Sequence, residues 1–181
     1  MKKIVIIGPE STGKSSLCEA LAKHYHGTWS LEYAREYLTE HGTDYSFEDL
    51  LTIAKGQLAL EDAATEQALA VHAPYLFFDT DMHVMHVWST FVFDGREHEL
   101  IEQERARRSY DMYLLACPDL PWTRDHLREY PDLETRDKLY HIYKGILESQ
   151  NTPWAEVRGI GPARTQCAID AVDRQFKHPK P

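Results

Sequence analysis

Cysteine is scarce in this sequence and does not pair. The three that occur, Cys18, Cys117 and Cys167, are odd in number and far apart, and no CxxC is present. Neither a zinc cage nor a disulfide framework is written here, and the three read as small buried thiols of a reducing compartment. Long apolar runs are missing too. None approaches the roughly 18 residues that a membrane span needs. Lys2-Lys3 followed by Ile4-Val5-Ile6-Ile7 is too short in its apolar part for a secretory leader, so a cytoplasmic location is expected. Nor is there a basic excess: 20 Lys and Arg stand against 29 Asp and Glu, net −9 with neutral histidine. Such a surface repels a phosphate backbone, which argues against nucleic acid as a partner. Repeats and low-complexity stretches are absent, and 43% hydrophobic with 27% charged residues is ordinary globular usage. The 181 residues are read as one domain, 1–181, with a core large enough to need no metal or disulfide.

What is there alternates strand with helix. Lys3 to Ile7 is an apolar, largely β-branched run, as in a strand covered on both faces. Helical spacing follows over Ser15–Tyr25, then a short strand over Thr28–Leu31 and helices over Tyr33–His41 and from Ser46 to about Val71. Tyr75–Phe78 is the third strand. Met82–Phe93 is apolar nearly all round and predicts a buried helix. A polar helix over Glu97–Arg108, a strand over Tyr110–Ala116, a helix from Asp132 to Glu148, a strand over Trp154–Val157 and a helix over Pro162–Phe176 complete the series, with a frayed tail from Lys177. Five strands separated by helices predict an α/β three-layer sandwich, a parallel sheet with helices on both faces, and a ligand site at the strands' C-terminal edge.

Gly8-Pro9-Glu10-Ser11-Thr12-Gly13-Lys14-Ser15 matches G-x-x-x-x-G-K-[ST] at every fixed position. It stands directly between a strand and a helix, the setting in which a phosphate cradle works. Gly8 and Gly13 let the backbone fold tightly, so successive N–H groups from Glu10 to Ser16 face an anion. The helix start adds partial positive charge, Lys14 neutralises β- and γ-phosphate oxygens, and the Ser15 hydroxyl is the ligand for Mg²⁺. ATP with Mg²⁺ is the expected cofactor pair. The guanine-reading N-K-x-D is absent, and a chain of this length leaves no neighbouring domain for a motor to move. A small-molecule kinase therefore leads; a nucleotide-dependent regulator is the second reading.

Carboxylates close the third strand in Phe77-Phe78-Asp79-Thr80-Asp81. Asp79 suits a metal-bound water opposite the loop. Asp81 is either a proton acceptor for a substrate hydroxyl or a helix cap, and in an extended segment both carboxylates would face one side. Glu32, at the tip of the second strand, is the other candidate base, and Arg35 the residue to hold the acceptor. Residues 118–136 form a lid, within which Arg124 and Arg128 would meet charge on the transferred group; Arg136 is either a third such arginine or a surface residue. Gly159–Pro162 would border the adenine or form a plain turn. His83 and His86, one helical turn apart without an acidic partner at zinc spacing, read as a packing or surface pair.

Taken in order, residues 8–15, Glu-Tyr-Ala-Arg-Glu at 32–36, Asp-Thr-Asp at 79–81, Tyr-Asp-Met-Tyr-Leu-Leu at 110–115 and Pro-Asp-Leu-Pro-Trp at 118–122 with Asp125 and Arg128 resemble the ribosylnicotinamide kinase domain of bacterial NadR proteins, an AAA-like P-loop group. The resemblance implies a P-loop kinase fold, strand order 2-3-1-4-5, and phosphorylation of the 5′-hydroxyl of nicotinamide riboside by ATP. It carries Lys14, Ser15 and Asp79 over as phosphate and metal residues. Arg124, Asp125 and Arg128 become lid residues, and Tyr33, Arg35 and Trp88 lie near the acceptor. Full-length members add an adenylyltransferase and sometimes a DNA-binding domain; this chain opens on the kinase strand and is expected neither to make NAD nor to act as a repressor. Met82-His83-Val84 stand where the group often carries threonines. A cationic pyridinium favours aromatic faces and carboxylates, and Trp29, Trp88, Trp122, Tyr33 and Tyr37 are on hand. The expected partner is a small nucleoside; homo-oligomerisation is left open.

Overall fold

The computed structural model describes residues 1–177. The elements run β1 (Lys2–Ile7), α1 (Lys14–Tyr25), β2 (Thr28–Ser30), α2 (Tyr33–His41), α3 (Phe47–Ala70), β3 (Tyr75–Asp79), α4 (Met82–Val92), α5 (Glu99–Arg107), β4 (Met112–Ala116), α6 (Leu133–Glu148), β5 (Trp154–Val157) and α7 (Pro162–Phe176). The five strands form one sheet in the order β2-β3-β1-β4-β5. Every pairing is parallel, with Ile6 beside Asp79 on one side and Leu114 on the other. Among the described residues no helix is long and apolar enough to cross a membrane. The tail expected to fray lies, from residue 178 on, outside the described residues.

Alternation along β1 explains the three layers. Ile4 and Ile6 enter a core with Leu17 and Leu21 of α1 and Ala168 and Val172 of α7. Val5 and Ile7 enter a second core with Ala68 of α3, Val84 and Val87 of α4, and Leu139 and Tyr143 of α6. Ile4 to Ile7 are fully buried, the consequence of a central strand with helices on both faces. A third cluster joins α2 to α3 and α4 through Leu38, Ile53 and Met85.

Local signals fix the elements that carry the site. Ser46 and Asp49 form a reciprocal capping box at the head of α3, which satisfies donors the first turn leaves free. Further along α3, the ring of Tyr33 lies so close over Gly56 that a Cβ there would stand 2.1 Å from its Cε1. That contact seats the start of α2. One strand is shorter at its start than its pattern predicts. β4 begins at Met112 because Asp111 instead brackets β1, its carboxylate accepting the Lys3 N–H at 2.9 Å and the Lys2 Nζ at 2.8 Å. Tyr110 turns aside to the buried Glu61, donating its hydroxyl at 2.8 Å.

Candidate functional site

The phosphate loop leaves β1 at Gly8, where a Cβ would meet the Ala116 carbonyl oxygen at 2.6 Å, and enters α1 through Gly13 at φ 75°. Both positions need glycine, one for close approach and one for left-handed backbone. No side chain caps α1 and its first turn holds no acid, so its N-terminal N–H groups and positive pole are left to an anion. Lys14 curls over the hollow and donates to the carbonyls of Gly8 at 3.1 Å and Pro9 at 3.2 Å. Thr12 turns inward, its hydroxyl on the Pro9 carbonyl at 2.7 Å. Residues 8–16 line one long cleft that continues past Glu32 and Arg35 to Trp88 and Phe91 of α4.

Asp79 is buried at the tip of β3, and its Oδ1 has no hydrogen-bond partner. Burial, with Glu32 beside it, pushes its carboxyl up to about 6, against the pull of Lys14, Ser15 and Arg35. An orphaned carboxylate oxygen next to a hydroxyl is a hard, all-oxygen donor set that fits Mg²⁺, with Ser15 and Asp79 as the residues to hold it. Asp81 does something else. It caps α4, accepting the His83 N–H at 2.9 Å, and also binds His83 Nδ1 at 2.8 Å and the Tyr113 hydroxyl at 2.8 Å. The expectation that the two carboxylates share a side fails at Thr80, whose φ of 82° breaks the extended alternation. Glu32 lines the cleft, next to Asp79, and accepts the Thr80 hydroxyl at 3.3 Å.

Residues 118–132 arch over the loop and are tied to it by side chains of the loop itself. Glu10 accepts the N–H groups of Glu129 at 3.0 Å and Tyr130 at 2.6 Å and the Trp122 indole at 3.3 Å. The Ser11 hydroxyl accepts from the Thr123 N–H at 3.0 Å and from Arg128 at 3.3 Å. Arg128 thus stands over the cradle, whereas Arg124 is exposed and, among the described residues, forms no ion pair. Asp125 pairs with Arg35 at 2.6 Å and so bridges the arch to α2. Arg136, weighed as a lid arginine, is buried beneath the arch and donates to the Leu120 carbonyl.

Of the aromatic candidates, Trp88 reaches the cleft. Its indole donates to the Tyr45 hydroxyl at 2.8 Å, which in turn donates to Glu129 at 2.9 Å. Tyr33 lies outside the cleft, on Gly56; Tyr37 is buried against Asp49, Trp29 supports the α1 side of the sheet, and Trp122 holds Glu10. The expected all-round burial of α4 is a cleft effect: Val84 and Val87 reach the core, while Trp88, Phe91 and Val92 are only half-buried and face the opening. Sequence reasoning missed Tyr45, Glu129 and Arg164. Arg164, buried in the first turn of α7, reaches Asp119, the Gly159 carbonyl and the Cys117 carbonyl, and so binds the loops after β4 and β5 together. Nothing in their local pattern marks them; only the fold brings their partners near. His86 likewise finds Glu102 at 2.6 Å from across α5, beyond the reach of a spacing rule.

A parallel sheet in this order, with a glycine loop from the central strand into a helix, defines a P-loop nucleotide-binding domain. The family model described as AAA domain matches residues 3–164, and the chain belongs to that family. It is 29% identical over 161 residues to the trifunctional NAD biosynthesis/regulator protein NadR of Escherichia coli (strain K12), a match covering 87% of this chain and 38% of that protein. The chain thus spans about two-fifths of that relative's length. Its fold matches a crystal structure of NadR protein in complex with NR at TM-score 0.73 and 22% identity, covering 99% of this chain and 52% of the other. A second NadR structure, in complex with NAD and AMP-PNP, matches at TM-score 0.72 and 21% identity, over 99% and 50% of the two chains.

Proposed function

We propose that this chain is an ATP-dependent phosphotransferase acting on the ribose 5′-hydroxyl of nicotinamide riboside. The observation that carries the reading is a cleft lined together by the phosphate cradle, Glu32 and Trp88. The likeness to proteins whose structures hold NR and the ATP analogue AMP-PNP supports it.

Lys14, released from the Gly8 and Pro9 carbonyls, moves its ammonium onto the β- and γ-phosphates, and Arg128 approaches from above. Both meet charge that spreads over the transferred group, where fixed cations lower the barrier most. Ser15 and Asp79 would hold Mg²⁺, which when bound neutralises phosphate charge. Glu32 orients the 5′-hydroxyl and accepts its proton. The ribose oxygen forms a bond to the γ-phosphorus as the bond from that phosphorus to the β,γ-bridging oxygen breaks, leaving ADP. The arch, tied to Glu10 and Ser11, keeps water from that phosphorus.

The test is incubation with Mg·ATP and a panel of nucleosides that includes nicotinamide riboside, with monophosphate detected by mass. Nicotinamide mononucleotide is the expected product. Lys14→Ala, which removes only bonds to loop carbonyls, should keep the fold and lose at least about a hundredfold in turnover. Slow hydrolysis indifferent to every nucleoside would mark a nucleotide-dependent regulator instead.

A further inference from the structure

One end of the cleft is poorly suited to phosphate. Beyond Glu32, its walls are Ala34 and Leu38 of α2, Val87 and Trp88 of α4, and Leu127 of the arch. They form an apolar recess with one indole, closed at the rim by the carboxylate of Glu129. That carboxylate is not loose. Tyr45 donates to its Oε2 at 2.9 Å, Trp88 fixes Tyr45 at 2.8 Å, and the Glu129 N–H is held by Glu10 at 3.0 Å. The same link brings a second carboxylate, that of Glu10, close by. Withdrawal from water and the neighbouring Glu10 push the Glu129 carboxyl above its ordinary value, against the opposing hydrogen bond from Tyr45.

Two acids drawn together at the mouth of an apolar, indole-walled recess favour a flat ring that carries positive charge. The recess takes the ring's faces and the carboxylate its charge. A neutral base gains only the first of these. We infer that Glu129 is a specificity-determining residue that selects an acceptor with a cationic ring over a neutral one of the same shape, through a carboxylate set in place by the Trp88–Tyr45 relay. The inference rests on the kinase reading above and deepens it.

The test is Glu129→Gln, whose amide oxygen still accepts from Tyr45 while the charge is gone. Initial rates are compared for nicotinamide riboside and for its reduced, uncharged dihydropyridine form, with ATP saturating. The expected result is a roughly fivefold fall in kcat/KM for the cationic acceptor, the scale of a partly exposed charge pair. The neutral acceptor should change less than about twofold, and the KM for ATP should stay put. Equal losses on both acceptors would make Glu129 a structural prop, and no loss on either would remove it from recognition; both overturn the inference and leave the kinase reading standing. Failure of the unsubstituted chain to phosphorylate either acceptor defeats that reading and the inference with it.

Discussion

The carboxylate of Glu10 accepts the main-chain N–H of Tyr130 at 2.6 Å, which joins a variable position of the phosphate loop to the far end of the arch. With the Glu129 N–H and the Trp122 indole on the same carboxylate, the loop holds its own cover. Glu10→Ala removes about 1–3 kcal/mol from that closure, and the loss falls on the arch rather than on the cores. Limited proteolysis should cut within 118–132 several times faster, and the KM for ATP should rise, while the thermal midpoint moves little. Glu10→Gln, which still accepts, should recover part of both.

The two arginines of the arch separate sharply. Arg128 bonds Ser11 over the cradle, and Arg124 points into solvent. Arg128→Ala should lower kcat by about a hundredfold or more, as expected of a cation that meets developing phosphoryl charge. Arg124→Ala should stay within about twofold. Steady-state rates on both variants check this, and equal losses would place the transferred phosphate nearer Arg124 than the structure does.

Much of the fold is legible in the residues alone. The loop at residues 8–15, the helix start at Ser46, and the acids Glu32 and Asp79 at two strand tips stand where residue type and order place them. What the sequence did not disclose depends on side chains far apart in the chain. Thr80 at positive φ turned Asp81 away from the site, although nothing about a threonine announces left-handed backbone. Tyr33 met Gly56 across α2 and α3 and so left the cleft, and Glu129 gained its role from Tyr45 and Trp88, 84 and 43 positions of separation along the relay. Arg136 and Arg164 were hidden for the same reason, since a buried arginine with carbonyl partners has no local pattern.

Asp79 costs stability in the absence of a cation. Its carboxyl ionises near 6 in the fold and near 3.9 in an unfolded chain, so between those values the folded chain binds the extra proton. Its contribution is therefore most favourable below about pH 4 and is lost as pH rises through 6. Asp79→Asn should stabilise the nucleotide-free, magnesium-free chain at pH 7.5, by up to about 3 kcal/mol in unfolding free energy, and give little gain at pH 4. Turnover should fall by at least about a hundredfold in the same variant. Denaturant melts of both chains at the two pH values supply the measurement, and an unchanged difference between them would show that the surroundings of Asp79 do not disfavour its charged form.

Gly56 offers a stability test that reads out at the site. An alanine Cβ would stand 2.1 Å from Cε1 and 2.2 Å from Cδ1 of Tyr33, so the ring has to leave. Alanine in a helix interior gains about 1 kcal/mol over glycine, and forced overpacking costs about 1–3 kcal/mol; the net is a loss of roughly 1 kcal/mol. Tyr33 heads α2 through its N–H on Gln57 at 2.9 Å, with Glu32 before it and Arg35 two residues on. Displacing the ring therefore moves both cleft residues, and kcat/KM for the acceptor should fall more than the KM for ATP rises. Gly145→Ala is the matched control: Gly145 lies inside α6 with nothing within 4 Å of the added carbon, so there the propensity gain stands alone. It should stabilise the chain by about 0.5–1 kcal/mol without touching turnover. Opposite shifts in the two thermal midpoints are the expected result, and a stabilised Gly56→Ala would mean that the ring of Tyr33 moves aside at no cost and does not seat α2.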